Sequence, residues 1–146
     1  MVDLSNFVEN LSALMAERNL NAPALAKELK TDRSNITRYL SGKRLPKFAG
    51  FVAILEYFNI SADVLLGLKE YVNETDFLPL PSFGERLRQV MAETKTTQYK
   101  IEQDEKISGN SMYQWLNNES LPTVHNLVKL AKYMDISVDY LLGRVR

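Results

Sequence analysis

Apolar residues recur along this chain at spacings of three and four, and the same spacings return 76 residues later. Phe7, Leu11, Leu14 and Met15 share one helical face, and Phe83, Leu87, Val90 and Met91 repeat it. Asn6 with Glu9, and Ser82 with Glu85, have capping-box spacing at the start of these first helices. Asn21 and Thr97 are N-caps for a second helix, with Pro23 tolerated in its first turn. Asp32 and Ser108 are caps for a third helix that runs to about Leu40 and Leu116. Gly42 suits a left-handed exit from it, and Asn118 can serve in the repeat. Phe48, Phe51, Val52, Leu55 and Phe58 predict a fourth helix, as do Val124, Leu127, Val128, Ala131 and Met134. Ser61 and Ser137 open a short fifth helix, which Gly67 and Gly143 stop.

Residues 7–68 align without a gap on 83–144, and 18 of those 62 positions are identical. Solenoid repeats run at about 20–50 residues and need three or more copies. Two copies at 76 therefore read as a duplicated domain, each copy burying only about 60% of its unfolded surface. The expected division is a first domain over 1–68, a linker over 69–82 and a second domain over 83–146. Pro79 and Pro81 favour an extended end to the linker. Tyr71, Val72, Phe77, Leu78 and Leu80 make it too apolar for a free tether, so part of it is expected to pack on a domain.

Composition narrows the chemistry. Of 146 residues, 45% are hydrophobic and 25% charged, as in a folded soluble protein. Lys plus Arg and Asp plus Glu are 18 each, which excludes binding by bulk charge but not a local patch. Such a patch is present. Residues 22–47 hold seven basic and two acidic residues, a net +5; residues 98–123 hold two basic and four acidic, a net −2. The absence of Cys excludes disulfides, thiolate zinc sites and cysteine nucleophiles. His125 is the one histidine, so a multi-histidine metal site is out; it reads as an exposed residue or a phosphate neighbour. There is no Gly-rich phosphate loop and no paired carboxylates, so neither an enzyme nor a cofactor is expected, and no signature of a small-molecule ligand appears. Apolar runs fall well short of the roughly 20 residues of a membrane span. No signal-peptide pattern opens the chain, so a cytoplasmic location is expected. The triplet Asn73-Glu74-Thr75 fits a glycosylation acceptor and reads as chance.

Five short helices with a tight turn between the second and third suggest a helix-turn-helix unit. The residues that carry a likeness are Leu25-Ala26-Lys27-Glu28-Leu29-Lys30-Thr31-Asp32-Arg33-Ser34-Asn35-Ile36-Thr37-Arg38-Tyr39, then Gly42-Lys43-Arg44-Leu45-Pro46 and Ile60-Ser61-Ala62-Asp63-Val64-Leu65-Leu66-Gly67. In the second copy they are Thr97-Gln98-Tyr99-Lys100-Ile101, Ile107-Ser108, Asn110-Ser111-Met112-Tyr113-Gln114-Trp115 and Ile136-Ser137-Val138-Asp139-Tyr140-Leu141-Leu142-Gly143. Over about 124 of 146 residues the chain resembles the Cro/cI-type phage-repressor family, also called the XRE family. The resemblance implies an all-α fold of two tandem five-helix lambda-repressor-like helix-turn-helix domains. It also implies sequence-specific binding of double-stranded DNA in transcriptional regulation, as a repressor, with the third helix in the major groove.

By position, Arg33, Ser34 and Arg38 resemble the family's base-reading residues, and Gly109, Asn110 and Gln114 stand there in the second copy. Arginine offers a bidentate fork to guanine, and Asn or Gln does the same to adenine. Asn35, Thr37, Lys43, Arg44 and Lys47 are candidate phosphate contacts; Gln98 matches a glutamine the family often uses on phosphate, where the first copy has Ala22. Ile36 and Met112 are expected to point inward, with Tyr39 and Trp115 at the core edge. Two departures stand out. Lys30 and Lys106 occupy a left-handed turn where the family usually has Gly, at a cost of about 1 kcal/mol. Glu102 and Glu105 replace Ala26 and Leu29, so packing of the second helix on the third is less secure in the second copy. Family members often pair two chains near the fifth helix, so a homodimer is implied, with the apolar linker, Tyr140 and Val145 as its surface. Alternatively one chain covers both half-sites. A 14-residue linker spans at most about 46 Å, against roughly 34 Å between half-sites one turn apart. A competing reading is a protein-interaction adaptor that has kept the fold and lost DNA reading. The +5 stretch argues against it for the first copy; the second copy's role stays open between reader and partner module.

Overall fold

A computed structural model describes residues 4–70 and 76–146. Tyr71, Val72 and the Asn73-Glu74-Thr75 triplet lie outside the described residues. The described residues form two compact units, 4–70 and 76–146. They contain ten helices and no strand, five helices to a unit. In the first unit these are α1 Asn6–Glu17, α2 Ala22–Leu29, α3 Arg33–Leu40, α4 Phe48–Phe58 and α5 Ala62–Leu65. In the second they are α6 Phe83–Glu93, α7 Gln98–Glu105, α8 Gly109–Leu116, α9 Val124–Tyr133 and α10 Val138–Leu142. No described helix is long and apolar enough to cross a membrane.

The repeating apolar positions make the cores. Phe7, Leu11 and Met15 are buried on α1, which packs against α3 and α5. Phe83, Leu87 and Val90 do the same on α6 against α8 and α10. Ile36 and Met112 are fully buried, and Tyr39 and Trp115 nearly so, so these four third-helix residues belong to the core.

The two backbones turn alike. Ten described residues have positive φ: Asn19, Lys30, Gly42, Asn59 and Gly67, then Lys95, Lys106, Asn118, Asp135 and Gly143. Each residue of the first five sits 76 positions before one of the second. Only three are glycines, so the left-handed corners are imposed mostly by how the helices pack. Lys30 at φ 57°, ψ 46° and Lys106 at φ 57°, ψ 38° form the motif's turn.

Helix caps follow side-chain chemistry, with two corrections. Asn21, Ser61, Ser82, Thr97, Ser108 and Ser137 each accept a hydrogen bond from a backbone N–H of the first turn. Asn6, expected to cap α1, is instead its first residue; Ser5 precedes it in helical conformation without a side-chain cap bond. Buried Leu4 accounts for this, since it draws the chain into a turn in which the Phe7 N–H donates to the Leu4 carbonyl. Asp32 stands at the cap position of α3, but its exposed carboxylate makes no cap bond.

Compensating exchanges keep the copies alike. Gly84 replaces Val8, and Asn118 replaces Gly42. A Cβ on Gly84 would lie 2.7 Å from the Leu116 carbonyl oxygen and 2.8 Å from that of Trp115. Glycine lets α6 reach the end of α8, and the Gly84 N–H donates to Asn118 Oδ1 at 2.9 Å.

The start of the second unit is tied to its end. The Leu78 N–H donates to the Arg144 carbonyl at 2.8 Å. The buried Arg144 guanidinium pairs with Asp139 at 2.7 Å and stacks 4.1 Å from the Phe77 ring centroid. Tyr140 donates its hydroxyl to Glu93 at 2.8 Å. Phe77, Leu78 and Tyr140, offered by the sequence as part of a dimer surface, thus make contacts within their own unit, Phe77 and Leu78 with Arg144 and Tyr140 with Glu93.

Candidate nucleic-acid interface

α2 packs on α3 through buried Leu25, Ala26 and Ile36, and the left-handed Lys30 sets the angle between the helices. With Ile36 and Tyr39 turned inward, the opposite face of α3 is left to solvent. Arg33, Ser34, Thr37 and Arg38 are all exposed there. Lys43, Arg44 and Lys47 follow α3 and are exposed as well.

Not all of these side chains are free. Arg44 donates to Asn35 Oδ1 at 2.5 Å, and the Asn35 amide donates to Thr31 Oγ1 at 2.9 Å. The two residues hold each other, which sets the guanidinium beside α3. Arg44 also lies close enough to Tyr39 to favour its phenolate, although burial outweighs this and pushes the Tyr39 pKa above 10.0. Thr37 gives its hydroxyl proton to the Arg33 carbonyl at 3.0 Å, so only its oxygen lone pairs face outward. Among the described residues Arg33 and Arg38 have no side-chain hydrogen bond or ion pair, so both guanidinium forks are available.

The corresponding face of the second unit differs. Asn110 is exposed, while Gln98 and Gln114 are half-buried. Gln114 Oε1 already accepts from the Ser120 hydroxyl at 3.0 Å, which occupies half of an adenine-reading amide. A Cβ on Gly109 would meet Glu102 Oε1 at 3.1 Å, so the Glu102 carboxylate lies against the start of α8. A carboxylate there suits the helix dipole and opposes a phosphate approaching the same end. Glu102 and Gly109, at the places of Ala26 and Arg33, thus meet in the second unit, a contact legible only in the structure. The other acidic residues of α7 are anchored on α9. Lys129 donates to the Glu105 carbonyl at 2.9 Å, and Tyr133 to Asp104 at 2.5 Å. The Asp104 carboxylate, by accepting that bond, raises the Tyr133 pKa above 10.0.

Sequence reasoning missed a further feature of this stretch of the second unit. Tyr99, Tyr113 and Leu121 are 68%, 57% and 49% exposed, the large exposed apolar side chains among the described residues. All three lie within 98–123, where the first unit has Pro23, Thr37 and the half-buried Leu45. The signal was present as Tyr at two positions that are small or polar in the first copy. His125, read from the sequence as exposed or as a phosphate neighbour, is half-buried at the start of α9, with Nδ1 shielded and unpaired. No group of His, Asp and Glu among the described residues is arranged to hold a metal ion.

A family model described as a helix-turn-helix domain matches residues 9–70 and again 84–145. No curated protein and no solved structure matches the chain.

Proposed function

Because the chain belongs to the helix-turn-helix domain family through both of its units, we propose that it is a sequence-specific DNA-binding transcriptional repressor whose main reader is α3 of the first unit. One observation carries this reading. The exposed face of α3 presents the free Arg33 and Arg38 inside a stretch of net charge +5. Each guanidinium can give two donors to one guanine in the major groove. Lys43, Arg44 and Lys47, beyond the helix end, meet phosphate, which supplies affinity and register without base information. Asn35 serves by holding Arg44 in place. The test is selection of bound sites from random duplexes with the full chain, followed by titration of variants on the selected site. Arg33→Ala with Arg38→Ala is expected to abolish the preference for that site, while Asn110→Ala with Gln114→Ala leaves it. The opposite pattern assigns reading to the second unit.

A second reading is confined to the second unit. Its stretch 98–123 carries exposed Tyr99 on α7, Tyr113 on α8 and Leu121 beyond it, a net −2, and a carboxylate against the start of α8. These favour a protein partner over phosphate, as in an adaptor that has kept the fold.

A further inference from the structure

Away from the third helices, each unit has a groove between its first and fifth helices. In the first unit its volume is about 580 Å³; in the second it is about 240 Å³. The two are one place, seen twice. Asn10, Ala13, Glu17, Val64 and Gly67 line the first, and their counterparts 76 residues on, Arg86, Gln89, Glu93, Tyr140 and Gly143, line the second.

The second unit narrows this place with its own side chains. The Arg86 guanidinium lies 4.6 Å from the Tyr140 ring centroid, and donates to the Tyr140 carbonyl and, at 2.8 Å, to Gln89 Oε1. The Tyr140 hydroxyl donates to Glu93 at 2.8 Å. In the first unit the fillers are truncated to Asn10, Ala13 and Val64. The backbone role of Arg86 survives, since the Asn10 amide donates to the Val64 and Leu65 carbonyls, both at 3.0 Å. The acceptor survives as well. Glu17 stands where Glu93 does, and among the described residues it has no hydrogen bond or ion pair. Leu14, Phe58 and Ile60 supply apolar walls. Arg18 stiffens one side by stacking on Tyr57 and Phe58 and bonding their carbonyls. What the first unit lacks is a ring and its hydroxyl.

We propose that this groove is a binding site for a small phenol, which takes the place that the Tyr140 side chain holds in the second unit. The ring lies over Ala13 and Val64, and the hydroxyl donates to the Glu17 carboxylate. The groove's volume falls within the roughly 300–1,000 Å³ of small-molecule sites. A hydrogen bond to an ionised acceptor separates a phenol from an unsubstituted arene. The site stands apart from α3 and does not depend on DNA reading.

The test titrates the full chain with p-cresol, the tyrosine side chain without its backbone, and follows backbone amide shifts by NMR. Saturable shifts are expected at Ala13, Glu17 and Val64. Toluene, which has no hydroxyl, is expected to bind about tenfold more weakly. Glu17→Ala, at an exposed position, should reduce p-cresol to the affinity of toluene. Val64→Tyr should fill the groove from within and weaken p-cresol at least about tenfold; Ala13→Gln narrows the same groove if that variant fails to fold. No saturable shifts, shifts away from the groove, equal binding of toluene, or unchanged affinity in the Glu17 and groove-filling variants would overturn the proposal.

Discussion

Lys30 and Lys106 hold the left-handed turn of each motif with a side chain that pays a steric penalty there. Glycine adopts the same φ without strain, although it also gains freedom in the unfolded chain. The first effect exceeds the second. Lys30→Gly is therefore expected to stabilise the protein by roughly 0.5–1 kcal/mol, read as a higher urea midpoint at unchanged slope; a lower midpoint would show that Lys30 makes a compensating contact. Reading of bases belongs to the same scale. Arg33 is at the first turn of α3 and unengaged, so Arg33→Ala should relax preference at one base position, losing about 1–3 kcal/mol of discrimination. A panel of base-substituted sites checks this, and a flat loss across the panel would make Arg33 a phosphate contact.

At the scale of elements, helix approach decides which residues are tolerated. α6 meets the end of α8 at Gly84, where the surroundings are backbone carbonyls that cannot swing aside. Gly84→Ala should cost about 1–3 kcal/mol through overpacking, despite the better helix propensity of Ala. A thermal or urea melt measures it, and an unchanged midpoint would mean that the two helices part easily. α10 is held in another way. The Arg144–Asp139 pair is buried, and Leu68 stands at the place of Arg144 in the first unit. Arg144→Leu copies that residue but breaks the buried ion pair from one side, at a cost of about 3–5 kcal/mol. It also removes the stack on Phe77, so proteolysis between residues 76 and 82 should speed up as the midpoint falls.

Over the whole molecule the net charge is zero, yet the two copies of the motif differ by seven charges, +5 against −2. If the first unit carries the phosphate contacts, the salt dependence of DNA affinity is set there. Lys43→Ala with Lys47→Ala should lower the slope of log affinity against log salt by about 1.8, at about 0.9 per phosphate. Lys100→Ala with Lys106→Ala should leave it unchanged; equal changes would show both units on phosphate. The sequence by itself determined the duplication, the order and ends of the third helices, most caps, and the left-handed corners at the motif turns and at the exits of the third and fifth helices, but not those at Asn19, Asn59, Lys95 and Asp135. These depend on residues within one or two turns of each other, and the repeat states each of them twice. It also determined that the first copy alone is basic. Tertiary structure decided where local chemistry yields to packing. Asn6 is not a cap because buried Leu4 shapes the entry to α1, and Asp32 occupies its cap position without using its carboxylate. It decided which side chains are free, tying Arg44 to Asn35 and Gln114 to Ser120 while leaving Arg33 and Arg38 open. It brought Glu102 against Gly109, and Tyr140 between Arg86 and Glu93. The last of these contacts joins residues 54 and 47 positions apart, a distance over which no local pattern operates. The open groove beside Val64 follows from the same cause, since three truncated side chains on α1 and α5 become one cavity only when the helices meet.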